Sequence, residues 1–264
     1  MQVFIEGIGL CGPGLAGWAA SRQVLAGREA YQAAPVRVTP SALLPANERR
    51  RAVATVKLAL AAGAEAFAAA GRDPAATATV FASSGGDGET IDQILNALAS
   101  PRRELSPTRF HNSVHNAPSG YWSIATGARA ASTSLCCHDD SFAAGVLEAG
   151  VQVVTGRCAV ALVAYDVQYP APLSLARPIG AAFAMALVLA PERGEAAIAE
   201  LEIALGPAKA ATRGASLALE ALRQNTPAAR ALTLLEVLAR AEAAEVTLEY
   251  LEDMALTLHV LPAA

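Results

Sequence analysis

The 264 residues carry 20 Lys and Arg against 24 Asp and Glu, a formal net charge of −4, and that balance argues against nucleic acid as the main partner. Hydrophobic residues make up 53% and charged residues 17%, enough to bury a sizeable core as one large domain or two small ones, with no disordered tail. The four cysteines do not space as C-x-x-C pairs, no basic-then-apolar leader opens the chain, and no apolar run approaches the roughly 18 residues of a membrane span, so the expectation is a soluble cytoplasmic protein without a disulfide framework.

Residues 1–10, MQVFIEGIGL, read as a short buried strand running into a glycine-rich turn at Gly7, Gly9, Gly12 and Gly14. A dinucleotide-binding phosphate loop is the sharper reading, but Pro13 and the missing acidic residue after a second strand count against it. A loop with Pro35, Pro40 and Pro45 leads to the longest predicted helix, about 48–70, capped by Asn47 and apolar almost all round, hence buried. Its first turn carries Arg49, Arg50 and Arg51, which oppose the helix dipole; they read either as a solvated end or as a contact for an acidic partner. Residues 77–82 follow as a buried strand. The loop Ser83, Ser84, Gly85, Gly86, Asp87, Gly88 then opens a helix over 89–99, a turn of a kind that can cradle an anion.

Residues 107–166 hold three of the four histidines, three of the four cysteines and the adjacent pair Asp139 and Asp140. The local pattern gives a polar loop at 107–119, an apolar start at 121–124, a strand near 131–136, a sharp polar turn at 137–140, a helix over 141–155 and a buried strand at 158–164. Phe142, Val146, Leu147, Val151 and Val154 carry the helical periodicity, and Asp139 or Asp140 caps the helix. Strand, tight turn and helix N-terminus is how many α/β enzymes present a nucleophile, and here the turn carries Asp. His111 and His115 in HNSVHN, with Cys136, Cys137, His138, Asp139 and Asp140, raise the question of a metal. Pro118, Ser119 and Gly120 truncate any helix there and no Glu sits between the histidines, so neither metal nor cofactor is expected. An enzyme using Cys137, His138 and Asp139 or Asp140 is also disfavoured, because neighbouring side chains on a strand point to opposite faces.

Beyond lie a proline-rich connection at 169–178, a buried strand at 181–190, a strand at 197–205, helices around 215–223 and 228–239, and alternating segments at 246–250 and 255–260 that place His259 on a strand.

Gly120, Ser123 and Ile124, followed by the 137–140 turn and by Gly156 ahead of the 159–164 strand, resemble the nucleophile-elbow region of the β-ketoacyl synthases, thiolase-fold condensing enzymes. Counting from either anchor puts the family's elbow cysteine at Asp139, leaving Cys136 and Cys137 just before it. Val3, Gly7, Gly9, Pro13, Leu25 and Gly27 match the family's opening strand, loop and short helix. The resemblance covers about residues 1–205. It implies an α/β, thiolase-like layered αβαβα fold whose first half is complete in a 1–190 domain and whose second half is truncated to a shortened segment, 191–264, packing on it. The two catalytic histidine motifs of the family's second half are missing, and the loop that gates the active site is shortened at 169–180. Without a thiolate to hold an acyl chain or imidazoles to stabilise an enolate, condensation cannot proceed.

The resemblance therefore implies a pseudo-enzyme with no catalytic residue. It is similar to the chain-length factors, which pair with a catalytic ketosynthase subunit as a heterodimer and wall off its acyl tunnel, here in a polyene or fatty-acyl pathway of the aryl polyene type. Phe110, His111, His115, Asn116, Tyr121 and Trp122 then lie at the dimer interface or along the acyl pocket, and Arg49, Arg50 and Arg51 dock an acyl carrier protein. A stand-alone carrier-protein-binding module is the alternative.

Overall fold

The computed structural model describes residues 1–39 and 41–263; Pro40 of the predicted proline loop lies outside the described residues. β1 (Gln2–Gly12) continues through Gly7 and Gly9 instead of turning there, with one register shift against the neighbouring strand between Ile5 and Gly7. The reason is steric: a Cβ at Gly7 would lie 2.1 Å from the Ala66 carbonyl oxygen and one at Gly9 1.9 Å from that of Ala62, so the missing side chains let a helix press onto the strand. A hairpin to β2 (Leu15–Ala16) leads to α1 (Trp18–Leu25).

The predicted 48–70 helix is two, α2 (Ala46–Arg51) and α3 (Ala54–Ala70), parted where Ala52 and Val53 take extended backbone. Asn112 Nδ2, 61 residues away, donates to the freed Arg51 carbonyl at 2.9 Å. Asn47 therefore lies inside α2 and caps nothing. The three arginines occupy the last turn of α2, where the dipole favours them, reversing the sequence argument.

β3 (Ala78–Ala82) precedes α4 (Gly88–Ala99), whose N-cap Asp87 accepts from the Thr90 N–H at 2.9 Å. The expected polar loop at 107–119 is largely helical: α5 (Pro107–Asn112) and α6 (Ala117–Thr126) each carry proline in the first turn. Proline there lacks only an N–H that would have had no partner, so Pro118 starts a helix where it was expected to forbid one.

Then come β4 (Ser132–Leu135), a 3₁₀ turn at His138–Asp140, α7 (Ser141–Gly156), β5 (Val160–Asp166), α8 (Leu173–Ala176) and β6 (Phe183–Ala190). β7 (Ala199–Pro207), α9 (Leu217–Asn225), a 3₁₀ turn at Pro227–Ala231, α10 (Leu232–Arg240), β8 (Ala244–Tyr250) and β9 (Met254–Pro262) complete the chain.

The strands form one mixed sheet in the order β4-β3-β5-β6-β1-β7-β9-β8, with β3 parallel to β4 and β5 and the other pairs antiparallel. Alternate residues of β5 enter two cores: Val160, Leu162 and Ala164 face one that includes α7 and α10, and Ala161, Val163 and Tyr165 face one that includes α3 and α6. Helices thus cover both faces, which is why β5, up to its last residue Asp166, and β6 are apolar and both strands are buried at every position.

α7 packs on β3 and β5 and also on β8, which lies six strands beyond β3 in the sheet. Gly145 of α7 faces Leu162 on β5 and Ala82 on β3, whereas Gly150, about 140° further round the helix, faces Ile203 on β7, so the two parts of the sheet lie against different sides of α7. The sheet must coil around α7, carrying β7, β9 and β8 round to share its core.

Candidate functional site at the elbow

β4 ends one residue short of Cys136, and the chain then tightens through His138, whose φ of 52° is left-handed, into the 3₁₀ turn and α7. Ser141 Oγ fastens this corner by accepting from the Cys137 N–H at 3.0 Å and donating to the His138 carbonyl at 2.7 Å. Asp140 occupies the N-cap position of α7 but makes no side-chain capping bond, contrary to the expectation for either aspartate. Both carboxylates turn instead to distant arginines.

Arg177 Nη2 donates to Asp139 Oδ1 at 2.5 Å, and Arg230 Nη2 stands 3.7 Å from Asp139 Oδ2. Arg230 Nη1 donates to Asp140 Oδ1 at 2.6 Å and lies 3.2 Å from Glu249 Oε2, while the Leu251 N–H donates to Asp140 Oδ2 at 3.2 Å. Burial works against ionising Asp139, but the hydrogen bond and charge of Arg177, with Arg230 and His138 behind them, outweigh it and hold the carboxyl below its ordinary range. A carboxylate so paired is a poor nucleophile. Burial, with Cys136 and Asp140 beside it, pushes the Cys137 thiol above its ordinary value, the wrong direction for an activated thiolate. The His138 side chain is 71% exposed and its Nδ1 lies 3.7 Å from Asp139. A cleft of about 390 Å³ opens beside Asp139, lined by Arg177, Ile179, Gln224, Asn225 and Arg230.

Asp166, at the end of β5, is a second buried hub to which the sequence reasoning gave no role. Its Oδ1 accepts from the Ser84 N–H (2.9 Å), Ser84 Oγ (2.7 Å) and Ser83 Oγ (3.3 Å), and its Oδ2 from the Ala228 N–H at 2.8 Å. Burial pushes this carboxyl up, against the pull of the Ser84, Ala228 and Ser83 bonds. An acidic residue closing an otherwise apolar strand was the signal available.

The other singled-out residues scatter. His115 Nε2 is 3.1 Å from the Ser83 carbonyl and Cys136 Sγ 3.2 Å from that of Ser84, so both reach the loop after β3. His111 sets its ring edge-on to Tyr121, 5.9 Å away, and Tyr121 Oη donates to Asn112. Tyr121 and Trp122 are buried in the chain's own core, Trp122 against Phe67 and over Gly63. Phe110 is 65% exposed, and Asn116 stands at the head of α6 without a side-chain cap. Arg50 and Arg51 are exposed or nearly so, Arg49 is half-buried, and Arg51 pairs with Glu48 at 3.2 Å. His259 lies on β9, 3.7 Å from Glu245. Among the described residues no three His, Cys, Asp or Glu side chains gather as a metal site, and no helix is long and apolar enough to cross a membrane.

The family model for the beta-ketoacyl synthase N-terminal domain matches residues 17–251, well past the limit near 205 expected from the motifs. A search of curated proteins finds no match. Among solved structures, the ketosynthase (ApeO) in complex with its chain length factor (ApeC) from Xenorhabdus doucetiae provides a chain 22% identical, with TM-score 0.73, covering 98% of this chain and 99% of that one. The ishigamide ketosynthase/chain length factor matches at 13% identity and TM-score 0.73 over 100% of both chains. The AntDE:AntF complex, a type II PKS acyl-carrier protein with its ketosynthase bound to the hexaketide, matches at 13% identity and TM-score 0.75 over 99% of each. With its mixed sheet, its helices on both faces and a family match across most of its length, the chain belongs to the beta-ketoacyl synthase N-terminal domain family and has a thiolase-like α/β fold.

Proposed function

We propose that this protein is a non-catalytic, chain-length-factor-like partner of a β-ketoacyl-ACP synthase, acting in the cytoplasm on polyene or fatty-acyl chains of the aryl polyene type. The observation that carries the reading is Asp139: the elbow holds an ionised carboxylate bonded to Arg177 and flanked by Arg230 where a condensing enzyme needs a thiolate. Two structural neighbours, each a ketosynthase with its chain length factor, support it. In this reading residues 1–190 supply the ketosynthase-like half and 191–264 the shortened C-terminal segment.

The heterodimer surface is the face around α4, α5 and α6. Leu95, Leu98, Phe110, Val114 and Ile124 are exposed there, and β4 ends the sheet with its outer edge unpaired among the described residues. Solvent-facing apolar side chains in such number mark a docking surface. Tyr121 and Trp122 support this face from beneath, His111 is exposed on it against Tyr121, and His115 and Asn116 stand at its margin. Arg49, Arg50 and Arg51 offer positive charge to an acidic acyl carrier protein.

Co-expression with the candidate ketosynthase, size exclusion, and a malonyl-dependent elongation assay on each subunit and on the complex test the reading. A one-to-one complex that elongates beside a lone chain that does not is the expected result. Phe110→Asp should weaken the complex at least about tenfold while leaving the lone chain's stability within about 0.5 kcal/mol. Elongation by the lone chain, or loss of complex activity in Cys137→Ala, would overturn the proposal. A persistent homodimer that binds carrier protein without a synthase would favour a stand-alone binding module.

A further inference from the structure

We propose that Asp139 and Asp140 form a two-armed latch that holds two later segments of the chain closed over the elbow: the connection before β6 through Arg177, and the turn at Pro227–Ala231 through Arg230. The inference is independent of the partner reading, since it concerns how the chain closes on itself.

Three observations carry it. First, Asp140 sits at the N-cap of α7 yet gives up local capping in favour of Arg230 and the Leu251 N–H, 90 and 111 residues away. Second, the arms are tied to each other as well as to the acids. The Gly180 N–H donates to the Asn225 carbonyl at 2.6 Å and the Ala181 N–H to Thr226 Oγ1 at 3.1 Å, so the two arginine-bearing segments form one cover. Third, the guanidinium groups are largely enclosed, with side chains 22% exposed at Arg177 and 18% at Arg230. Losing Asp139 would take the carboxylate from a half-buried Arg177, and losing Asp140 would leave Arg230 only its longer contacts to Glu249 and Asp139, larger penalties than breaking a surface ion pair. The positive end of the α7 dipole adds to the attraction for both aspartates. The turn at Pro227–Ala231 is further held by Asp166 through the Ala228 N–H, so the cover closes on two acidic anchors.

Hydrogen–deuterium exchange on the full chain, resolved by peptide, tests the latch. Arg230→Met and Asp140→Asn should each speed exchange at 225–231 and 249–252 by about tenfold, and the double variant should be no faster than the faster single, because both remove one shared interaction. Arg177→Met should speed exchange at 173–181 and leave 249–252 unchanged. If Arg230→Met does not fold, Asp140→Asn keeps the test: its amide can still accept from Leu251 but carries no charge, so faster exchange at 225–231 is still required. Rates within about twofold of wild type at 225–231 in the foldable single variants, or accelerations that multiply in the double variant, overturn the proposal.

Discussion

Replacing Asp166 with asparagine should damage this fold out of proportion to the single atom changed. Oδ1 and Oδ2 each face one backbone donor, Ser84 N–H at 2.9 Å and Ala228 N–H at 2.8 Å, in a side chain that is only 2% exposed. The serine hydroxyls can rotate to suit an amide, but peptide N–H groups cannot. Whichever way the new side-chain amide is turned, its NH₂ meets one of them, so one hydrogen bond is lost and one buried donor left unmet. An unmet buried donor costs about 1–3 kcal/mol, and exchanging a charged acceptor for a neutral one adds about 1, giving about 3 kcal/mol in total. For a chain of this size that lowers Tm by about 6–12 °C. Scanning calorimetry of both proteins at neutral pH reads the shift directly. A Tm within about 2 °C of wild type would refute the claim that both oxygens are committed to fixed donors.

Gly9→Ala should cost about 3 kcal/mol or more, because the new Cβ would meet the Ala62 carbonyl oxygen of α3 at 1.9 Å; chemical denaturation checks it, and a neutral result would mean β1 and α3 can separate freely. Asp139 has its folded pKa lowered, so its contribution to stability is present above the unfolded value of 3.8 and is lost as pH falls through the folded value. Asp139→Asn should therefore flatten the acid limb of the stability profile below the unfolded value and lower the plateau above it; an unchanged acid limb would show that Arg177 does not stabilise the charge. Burial, with Glu65 beside it, pushes the Cys11 thiol up to about 11, whereas Cys136 and Cys158 are exposed. Iodoacetamide under native conditions should label Cys136 and Cys158 and spare Cys11 until the chain is unfolded, as peptide mass spectrometry would report.

Much of the architecture was legible because burial leaves a period in the sequence. The apolar runs of β5 and β6, the i, i+3/i+4 face of α7 and the alternation in β8 and β9 all read out as the elements they become. The acidic turn at 137–140 stood out for the same local reason, as a polar break between a strand and a helix. What misled was punctuation whose meaning depends on partners elsewhere. Gly7 and Gly9 suggested a turn, but their missing side chains make room for α3; Pro118 suggested a stop, but it starts α6; and one helix over 48–70 was expected, but Asn112 holds a break open at Arg51.

The sequence by itself determined most of the strands and helices and placed an aspartate pair in the tight turn between β4 and α7. Only the tertiary structure decided what those aspartates do. Their partners, Arg177, Arg230 and Leu251, lie 38 to 111 residues downstream and are brought together because the sheet coils around α7. Local periodicity reports the environment of a side chain, buried or solvated, and carries no information about which distant charge completes it.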